Sequence, residues 1–598
     1  MTRPRKIALL IVAFVLVCAV SVSMAVVGTR VTDLTSALGR VITFSSTIEA
    51  DVKAADLEAL ASDLVELDRL TQDTLVAASD PVLSAALDGA PFAGVHLKAA
   101  RLIAAAAAGL TGAALPLADV LPRLEPSQLV VDGRYDVDAL SDLDNAMRGL
   151  KSQLGISSKQ IASIDTSVLD KRFVSAIDQL GPALDSAEVL LTQVEPLVGI
   201  LPIVLGSEGD RTWFVALQNL TESRATGGIF GAYAVINVND GAITMSASGS
   251  DRDLIPVVPP TTGLPNSFIE MWYNNIDDWR SINVSPHFPY TGRMVANEWE
   301  KYSGQSVDGV LAFGQGIVQY MLAATGPVTI DGTTVDATNV VDFLALGVYE
   351  KYPDATDKNA FVSQLVAELF TRLQAGQFDL ESLLSATAST PTSDRLLAWA
   401  KKNDIQDKIV DAGYGGILPT EYGPTTAIAI NNGGGNKLEQ FLDVTVDYSL
   451  GECSTKPADR TRQSTMTLTL TNNAPTSGLP AYVTPREDYA STIEQKAVGS
   501  NLELVTVYLP VGAEEGDTTL DGEYTFAYYG EERDRTVLLF EVDLDPGQTK
   551  TVDIPFTEPT VGTSSLDLLD AKARVITPPS LNPIVVTTPA AEACTPTG

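Results

Sequence analysis

The sequence predicts a multidomain fold: an N-terminal membrane helix, an α-helical stalk or bundle, a central mixed α/β domain and a C-terminal antiparallel domain that is β-sandwich-like. Three observations predict it. An uncharged apolar run lies near the N-terminus, Leu-rich and Ala-rich segments with helical spacing follow it, and strand-like runs dominate the remainder. A chain of 598 residues also exceeds what one hydrophobic core organises. The predicted regions are a cytoplasmic tip and anchor at 1–29, the helical stalk or bundle at 30–200, the α/β domain at 201–440, the β domain at 441–585 and a tail at 586–598.

The membrane helix is predicted from the run IALLIVAFVLVCAVSVSMAVV, Ile7 to Val27, which holds 21 residues without a charge. A helix of about 20 apolar residues spans a hydrocarbon core. Arg3, Arg5 and Lys6 precede the run, and positive charge stays on the cytoplasmic side. We therefore expect a single-pass protein of the cell membrane with a cytoplasmic N-terminus and an extracytoplasmic bulk. A signal peptide cleaved near residues 23–25 is the alternative, but the run is longer than the usual signal core.

The helical region begins with Leu57, Leu60, Leu64, Leu67 and Leu70, which recur at steps of three and four. This spacing predicts an amphipathic helix. Similar composition continues to about residue 200, interrupted by prolines, so we expect several helices in an intrachain bundle. A dimeric coiled coil is the alternative, although the stripe does not persist over enough heptads to favour it. The Ala-rich segment at 102–121 contains Gly and Pro and is expected to be a helix outside the membrane.

The two later domains are predicted from strand patterns. The run RTWFVALQN starts at Arg211, and the tip Asn239-Asp240-Gly241 separates two β-rich runs, which is a strong hairpin signal. After residue 441, apolar and polar residues alternate in successive short runs with turn residues between them. This texture predicts an antiparallel sandwich of the immunoglobulin-like class, followed by an extended tail.

Composition limits the partners and the redox state. The chain carries 40 Lys plus Arg against 75 Asp plus Glu, a net charge of −35, so its field repels polyanions and nucleic acid is not expected as a partner. Three cysteines occur, and Cys18 lies inside the predicted anchor. An oxidising compartment would permit a disulfide between Cys453 and Cys594, with two free buried thiols as the alternative.

Several enzyme classes are disfavoured by residue supply. Two histidines, His96 and His287, and no Cys-x-x-Cys pair make a zinc site of His and Cys improbable. No G-x-S-x-G elbow supports a Ser-His-Asp hydrolase, and His287 is interpreted as a loop residue. The run NNGGGNK at 431–437 lacks the spacing of a phosphate loop, and Gly314-Gln315-Gly316 lacks the third Gly of a dinucleotide motif. We interpret the NNGGGNK glycines as a turn between domains.

The segment LQNLTESRATGGIFGAY is the main candidate for a ligand site. Its two adjacent glycines let backbone amides approach a ligand, arginine forks suit phosphate oxygens, and paired carboxylates suit Mg²⁺. Surface or interdomain ion pairs around a tight turn are the alternative, and ion pairs are common. The candidate ligand-binding residues are Glu222, Arg224, Gly227, Gly228, Arg252, Asn283 and Arg293, and the candidate metal ligands are Asp251 and Asp253.

The runs LQNLTESRATGGIFGAYAVINVNDGAI, NVSPHFP, SVDGVLAF and NNGGGNK, in this order, resemble the bacterial family known as domain of unknown function 4012. The resemblance covers about residues 205–470. An N-terminal anchor and a helical stalk are typical of that family, which has no established reaction. The resemblance therefore implies a location in the cell envelope and an architecture, not an activity.

A weaker resemblance is to the LytR-CpsA-Psr family, whose membrane-anchored members transfer glycopolymers from a polyprenyl pyrophosphate carrier to peptidoglycan. Its basis is a set of short matches at 222–224, 250–254, 282–283, 307–310 and 326–328. The arginine and aspartate that the family has before its second strand are replaced here by Ala225, Thr226 and the glycine pair. The resemblance implies a central domain of that fold that binds a polyprenyl-linked glycan or another cell-wall component.

If the protein is catalytic, the resemblance implies a glycopolymer phosphotransferase that uses Mg²⁺. In that hypothesis Arg224 and Arg252 neutralise the pyrophosphate, Asp251 or Asp253 holds the metal, and Asn283 and Arg293 position the ligand. The rival hypothesis, which we prefer, is a non-catalytic structural or binding protein of the envelope, because resemblance of fold does not establish shared chemistry.

Overall fold

The computed structural model describes residues 56–82, 85, 90, 93–254, 262–272, 276, 278–379, 382, 396–454, 459–489, 496–560 and 572–588. The predicted membrane anchor and most of the predicted tail lie outside these residues. The helices are α1 (Leu57–Ala78), α2 (Ala93–Val120), α3 (Pro126–Leu129), α4 (Val137–Ala162), α5 (Lys171–Val204), α6 (Asn266–Trp272), α7 (Phe288–Ser303), α8 (Gln315–Thr325), α9 (Val340–Asp342), α10 (Val348–Lys351), α11 (Ala355–Gln374) and α12 (Asn403–Asp411).

The strands form two larger groups, one in the central domain and one near the C-terminus. The first nine are β1 (Val130–Val131), β2 (Arg134–Tyr135), β3 (Arg211–Arg224), β4 (Gly227–Asn239), β5 (Ala242–Ser250), β6 (Gly309–Phe313), β7 (Val328–Ile330), β8 (Thr333–Val335) and β9 (Leu397–Ala400). The others are β10 (Thr425–Asn432), β11 (Leu442–Cys453), β12 (Thr461–Asn472), β13 (Asn501–Tyr508), β14 (Glu514–Glu515), β15 (Thr519–Leu520), β16 (Glu523–Tyr524), β17 (Tyr528–Glu532), β18 (Arg535–Leu544), β19 (Thr549–Pro559), β20 (Arg574–Ile576) and β21 (Val585–Thr587).

The four long helices α1, α2, α4 and α5 pack into an intrachain bundle around one apolar core. The predicted leucine stripe accounts for the first of them, since Leu60, Leu64, Leu67 and Leu70 are all buried. Asp56 caps its N-terminus, because the Asp56 side chain accepts a hydrogen bond from a backbone amide of the first turn. The bundle is therefore stabilised by burial of one face of each helix.

Two described segments of the bundle, Ala93–Leu124 and Leu180–Val204, are long and apolar enough to cross a membrane. The expectation of a single such segment in the chain was therefore too narrow on length and composition alone. In the structure, 56% and 47% of their most apolar windows are buried within the protein. Core helices pass the same test of length and composition, so the pair is weak evidence for a membrane span.

The central domain is a mixed sheet of seven strands in the order β1-β2-β5-β4-β3-β6-β9. Strands β3, β4 and β5 are antiparallel neighbours, β6 runs parallel to β3, and β9 runs antiparallel to β6. The predicted hairpin is present between β4 and β5, where Asp240 and Gly241 have φ of 47° and 79°. Two successive residues with positive φ make the tight turn that matches strand twist.

The two faces of this sheet pack against different helices. Even-numbered residues of β3, such as Phe214, point into a core completed by α6 and α7, with Trp272 and Trp299 buried there. Odd-numbered residues, such as Trp213, point the other way and pack partly on α5 and α12. The part of this second face that lies over Leu217 is covered by α11 and forms the groove described below.

The C-terminal region is β-rich, and two sheets share one apolar core. The first has the order β17-β18-β13-β10-β20, and the second the order β16-β15-β19-β12-β11-β21, with β14 beside β19. In β11 the alternation predicted from sequence is observed, with Val444, Val446 and Tyr448 buried. Strand β10 lies before the predicted boundary at residue 441 yet belongs to this region, and β21 occupies residues at the start of the predicted tail.

The two sheet regions meet at a buried carboxyl group, that of Glu532 on β17. The Ser285 hydroxyl donates to one carboxyl oxygen, and the Trp272 indole N–H (3.2 Å) and the Tyr508 hydroxyl (3.3 Å) donate to the other. Ser285 and Trp272 belong to the central domain, whereas Tyr508 lies on β13. Burial raises the pKa of Glu532 from 4.5 to about 7.

Candidate functional site

An apolar cavity of about 270 Å³ lies between the central sheet and α11. Helix α11 carries two apolar stripes at helical spacing. Phe361, Leu365 and Leu369 are buried in a neighbouring core, whereas Val366 and Phe370 are only half-buried and line the cavity. Side chains from four strands form the opposite wall: Val215, Leu217, Ile236, Ile243, Met245, Leu311 and Phe313. The cavity therefore exists because the second stripe does not pack directly on the sheet.

A small pocket, which we call the neck, lies between the cavity and a charged pocket. The neck, about 70 Å³, shares Leu217 and Ser363 with the apolar cavity and Asn219 and Lys358 with the pocket. The pocket has a volume of about 350 Å³. Its charged lining residues are Glu222, Asp251, Asp278, Arg280, Lys358, Lys437 and Glu487. The apolar cavity, the neck and the charged pocket thus adjoin one another along β3, and together we call them the groove.

Lys437 and Glu222 form a buried ion pair at the inner wall of the pocket. Their Nζ–Oε1 distance is 2.9 Å, and each side chain is 9% exposed. The Lys437 ammonium also lies 4.9 Å from the centre of the Tyr482 ring. Burial alone would lower the pKa of Lys437, but Glu222 and the neighbouring tyrosines more than offset it, so the pKa is raised. This lysine is held as a cation.

Lys358 lies where the neck meets the pocket, at the N-terminal end of α11. Its ammonium is 5.2 Å from the Tyr349 ring and 5.7 Å from the Tyr482 ring, and these two rings are stacked with centroids 5.5 Å apart. Asn219 donates to the Tyr349 hydroxyl at 3.1 Å, and burial raises the pKa of Tyr349 to about 12. Lys358 thus presents positive charge directly above a wall of neutral aromatic rings.

The outer wall of the pocket is formed by Arg280 and Asp278. Three hydrogen bonds join the Arg280 side chain to the Asp278 carboxylate, and Glu487 lies 4.0 Å from the Arg280 guanidinium. Burial by itself would raise the pKa of Asp278. The hydrogen bonds from Arg280 lower that pKa by a larger amount, so the net shift is downward. The hydrogen bond with Asp278 also raises the pKa of Arg280. This pair is fixed in its charged form.

Arg224, which the sequence places beside the glycine turn, does not line the pocket. Its Nε donates to the Arg280 carbonyl at 2.8 Å, and its Nη1 donates to the carbonyls of Ser223 (2.8 Å) and Asn432 (3.0 Å). Asn432 ends β10 of the C-terminal region. Arg224 therefore joins three backbone segments across the domain boundary instead of facing a phosphate.

The glycine pair is required by packing. A Cβ on Gly228 would lie 2.0 Å from the Asn219 carbonyl oxygen, and Gly227 has φ of +139°. Asn283, which is fully buried, donates to the Gly228 carbonyl and to the Thr226 hydroxyl, both at 2.9 Å. These residues shape the turn at the end of β3, so the turn's sequence is explained without a ligand.

The acidic candidates are separated by the turn that follows β5. Asp253 accepts hydrogen bonds from the Ser250 amide (2.8 Å) and hydroxyl (3.3 Å), which closes a capping box, while Asp251 lines the pocket. The side chain of Arg252 lies outside the described residues. In the described part of the chain, no group of three or more His, Cys, Asp or Glu side chains is placed to hold a metal ion. Asp253 is engaged in the capping box, which leaves Asp251 in the pocket without it, and we derive no step through Mg²⁺.

Arg293 and His287 both make hydrogen bonds with the backbone away from the pocket. Arg293 is exposed on α7 and donates to the Gly263 carbonyl, away from the pocket. His287 is buried, accepts a hydrogen bond at Nδ1 from the Leu418 amide (3.1 Å), and has its pKa lowered to about 3 by burial. The sequence was interpreted as placing His287 in a loop, and it lies directly before α7 as a buried residue. Among the predicted ligand and metal residues whose side chains the structure describes, only Glu222 and Asp251 line the pocket.

Sequence reasoning missed the two lysines of the groove. Lys437 ends the NNGGGNK run, which we interpreted only as a turn, and its partner Glu222 lies more than 200 residues earlier in the chain. Lys358 begins the second apolar stripe of α11, and that doubled stripe is the signal that could have located the groove.

Cys453 is disulfide-bonded. Its partner lies outside the described residues, so the pairing with Cys594 stays a prediction. Mass spectrometry of an unreduced protease digest checks it, because a linked pair of peptides containing Cys453 and Cys594 is expected. A link to Cys18 would contradict the predicted topology, which places Cys18 inside the membrane helix.

The fold and groove define a multidomain protein with a helical bundle, a mixed sheet and a C-terminal β-rich region. Within it, residues 208–349 match the family described as protein of unknown function (DUF4012), and this part of the chain belongs to that family, as predicted. The matched segment includes β3 to β6 and the glycine turn. Comparisons with curated proteins and with solved structures returned no match. The resemblance to the LytR-CpsA-Psr family therefore stays a prediction.

Proposed function

We propose that this protein is a membrane-anchored, extracytoplasmic component of the cell envelope with a non-catalytic binding role, and that its central domain binds a polyprenyl-linked ligand in the groove. One observation supports the proposal above the others: an apolar cavity, the neck and a charged pocket adjoin one another in this order. A ligand with a long apolar chain and a polar head has the same two parts in the same order. Specific ligand sites are commonly apolar with a few placed polar groups.

The location is supported by two features. The run from Ile7 to Val27 has the length and the flanking positive charge of a membrane anchor. The disulfide at Cys453 suits an oxidising compartment, since disulfides are rare in the cytosol. Both features favour an extracytoplasmic position for the groove.

The apolar chain of the ligand should contribute more to the binding free energy than its polar head. Each buried methylene contributes about 0.8 kcal/mol, so each isoprene unit that enters the cavity should strengthen binding at least tenfold until the cavity is filled. The head would meet Lys358 first, because that ammonium lies at the neck. Three cations face four carboxylates in the pocket, so charge alone gives a phosphate little net attraction.

The ion pairs of two of the pocket's four carboxylates support the non-catalytic role. Glu222 is paired with Lys437, and Asp278 is paired with Arg280. A general base must be available to take a proton, and a paired carboxylate with a lowered pKa such as Asp278 is a poor one. We therefore assign no catalytic residue.

The experiment is titration of the full-length protein, in detergent, with polyprenyl pyrophosphates of increasing chain length, with and without Mg²⁺. Ala367→Trp places an indole in the apolar cavity, whereas Thr371→Trp, one turn further along α11, does not line it and serves as the control. We expect Ala367→Trp to weaken binding at least tenfold and Thr371→Trp to leave it within twofold. Lys358→Met should weaken binding of the pyrophosphate but not of the corresponding alcohol.

Three results would contradict the proposal. Absence of saturable binding to the folded wild-type protein would remove the ligand class. Affinity independent of chain length, or equal losses in the two tryptophan variants, would place the ligand outside the groove. A glycopolymer transfer assay on the same preparation tests the alternative hypothesis, because product formation that Ala367→Trp abolishes would make the protein a transferase.

A further inference from the structure

Four large aromatic side chains lie exposed on one short segment of the C-terminal region. Tyr524, Phe526, Tyr528 and Tyr529 are 73%, 73%, 54% and 62% exposed. The intervening Thr525 and Ala527 are half-buried. Tyr524 ends β16, and Tyr528 and Tyr529 begin β17. We call these four aromatic residues the aromatic strip.

The exposed rings of the strip lie close together and are not scattered over the surface. The Phe526 and Tyr528 rings have centroids 5.8 Å apart with planes at 80°, an edge-to-face contact made in the open. Large aromatic groups exposed together on a folded surface mark interaction sites. They also lose little side-chain entropy when they are covered, because each has only two rotatable side-chain torsions.

The charge around the strip has one sign. From Val511 to Glu532 the chain contains no Lys and no Arg. Six carboxylates in this stretch are exposed: Glu514, Glu515, Asp517, Asp521, Glu523 and Glu531. Aromatic faces carry negative partial charge, so rings and carboxylates attract the same kind of group, a cation. An anionic lipid surface would be repelled by them.

The strip also runs along the outermost strands of two sheets, and α6 packs against β17 through Met271 and Gly530. Strand β16 is the outermost strand of one C-terminal sheet, and β17 is the outermost strand of the other. The segment 523–532 passes from the first edge to the second. An outermost strand offers backbone N–H and C=O groups to an added extended chain. The surface thus combines a backbone template with side chains selective for positive charge.

We propose that the aromatic strip and the β17 edge bind a Lys- and Arg-rich, extended segment of a partner polypeptide. The cationic side chains lie over the rings and pair with Glu523 and Glu531, and the peptide backbone pairs with the strand edge. A neutral polysaccharide would stack on the rings but would leave the uniform acidic charge without a role. Charge complementarity therefore selects the cationic peptide.

The experiment is fluorescence anisotropy of a dye-labelled peptide in which Lys and Arg alternate with Thr and Val, titrated with the full-length protein in detergent. The double variant Phe526→Ser/Tyr528→Ser removes rings and keeps the charge. A second variant, Glu523→Gln/Glu531→Gln, removes charge and keeps the rings. Tyr302→Ser and Glu300→Gln on α7, both exposed, are the matched controls.

We expect each double variant to weaken binding about tenfold, since a cation–aromatic contact contributes about 0.5–2 kcal/mol and a factor of ten is about 1.4 kcal/mol. The controls should stay within twofold, and unfolding midpoints should not move because every changed side chain is exposed. If the ring variant binds as tightly as wild type, the peptide is held only by the net charge of −35 and the proposal is wrong. Absence of peptide binding also overturns it, and ring-dependent binding of a neutral glucan in its place would identify a glycan platform.

Discussion

Replacing Glu532 by Gln should make the protein more stable at neutral pH and should remove one source of its pH dependence. The carboxyl group is completely buried between the central domain and β17, and it accepts hydrogen bonds from Ser285, Trp272 and Tyr508. A glutamine has nearly the same shape and keeps one carbonyl oxygen for the indole and phenol donors. Its amide group can donate to the Ser285 hydroxyl. The substitution thus removes the charge and keeps the contacts.

The magnitude follows from the pKa of Glu532, which burial raises from 4.5 to about 7. The folded protein therefore binds this proton more tightly than the unfolded chain, so stability falls as the pH rises from about 4.5 to about 7 and then levels off. A shift of about 2.5 pKa units corresponds to about 3 kcal/mol at 1.36 kcal/mol per unit. This stabilisation is fully present below about pH 4.5 and is lost above about pH 7.5.

The assay is urea unfolding at pH 4.5 and pH 8, followed by tryptophan fluorescence, to which Trp272 beside Glu532 contributes. The difference in unfolding free energy between Glu532→Gln and wild type should rise by about 3 kcal/mol from the lower to the higher pH. Glu531→Gln, exposed on the same strand, is the control and should show no such rise. The reasoning is refuted if the Glu532→Gln difference is the same at both pH values.

Two further pairs of substitutions test the architecture by chemical denaturation. Gly228→Ala places a Cβ 2.0 Å from a backbone oxygen and should lower the unfolding free energy by at least about 2 kcal/mol, whereas Gly155→Ala, within α4 and with nothing within 4 Å, should raise it by about 0.5–1 kcal/mol. Equal effects would contradict the packing account of the glycine turn. Lys437→Met strands the buried Glu222 carboxylate and should cost about 3–5 kcal/mol, most of which adding Glu222→Gln should return. Additive losses in that double variant would show that the two side chains act independently.

Much of the architecture could be predicted from periodicity. The leucines of α1, the hairpin tip at Asp240 and the alternation in β11 each give a local signal that the tertiary structure does not override. The placement of β10 was missed because its eight residues precede residue 441, where the alternating pattern used to define the C-terminal domain begins. Only its pairing with β13, which begins 69 residues after the end of β10, assigns it to the C-terminal region.

The candidate site was predictable only in part. Glu222 and the glycine turn drew attention through composition, but the partners of Glu222 and Arg224 come from the loop after β10 and from β10 itself. Such long-range pairings leave no periodic trace in a single sequence. The local sequence also does not distinguish an arginine that binds a phosphate from one that donates to backbone carbonyls. Arg224 is of the second kind.

The charged pocket is built by more than one part of the chain, and this bears on how the family region can be used and inherited. Residues 208–349 supply Glu222 and Arg280, but Lys358 follows the matched segment, and Lys437 and Tyr482 come from around the C-terminal strands. A fragment limited to the family region would lack both lysines and the α11 wall of the apolar cavity. Recombination that exchanged the β-rich region would therefore replace Lys437, Tyr482 and Glu487 at once, and the charge of the pocket would change while residues 208–349 stayed the same.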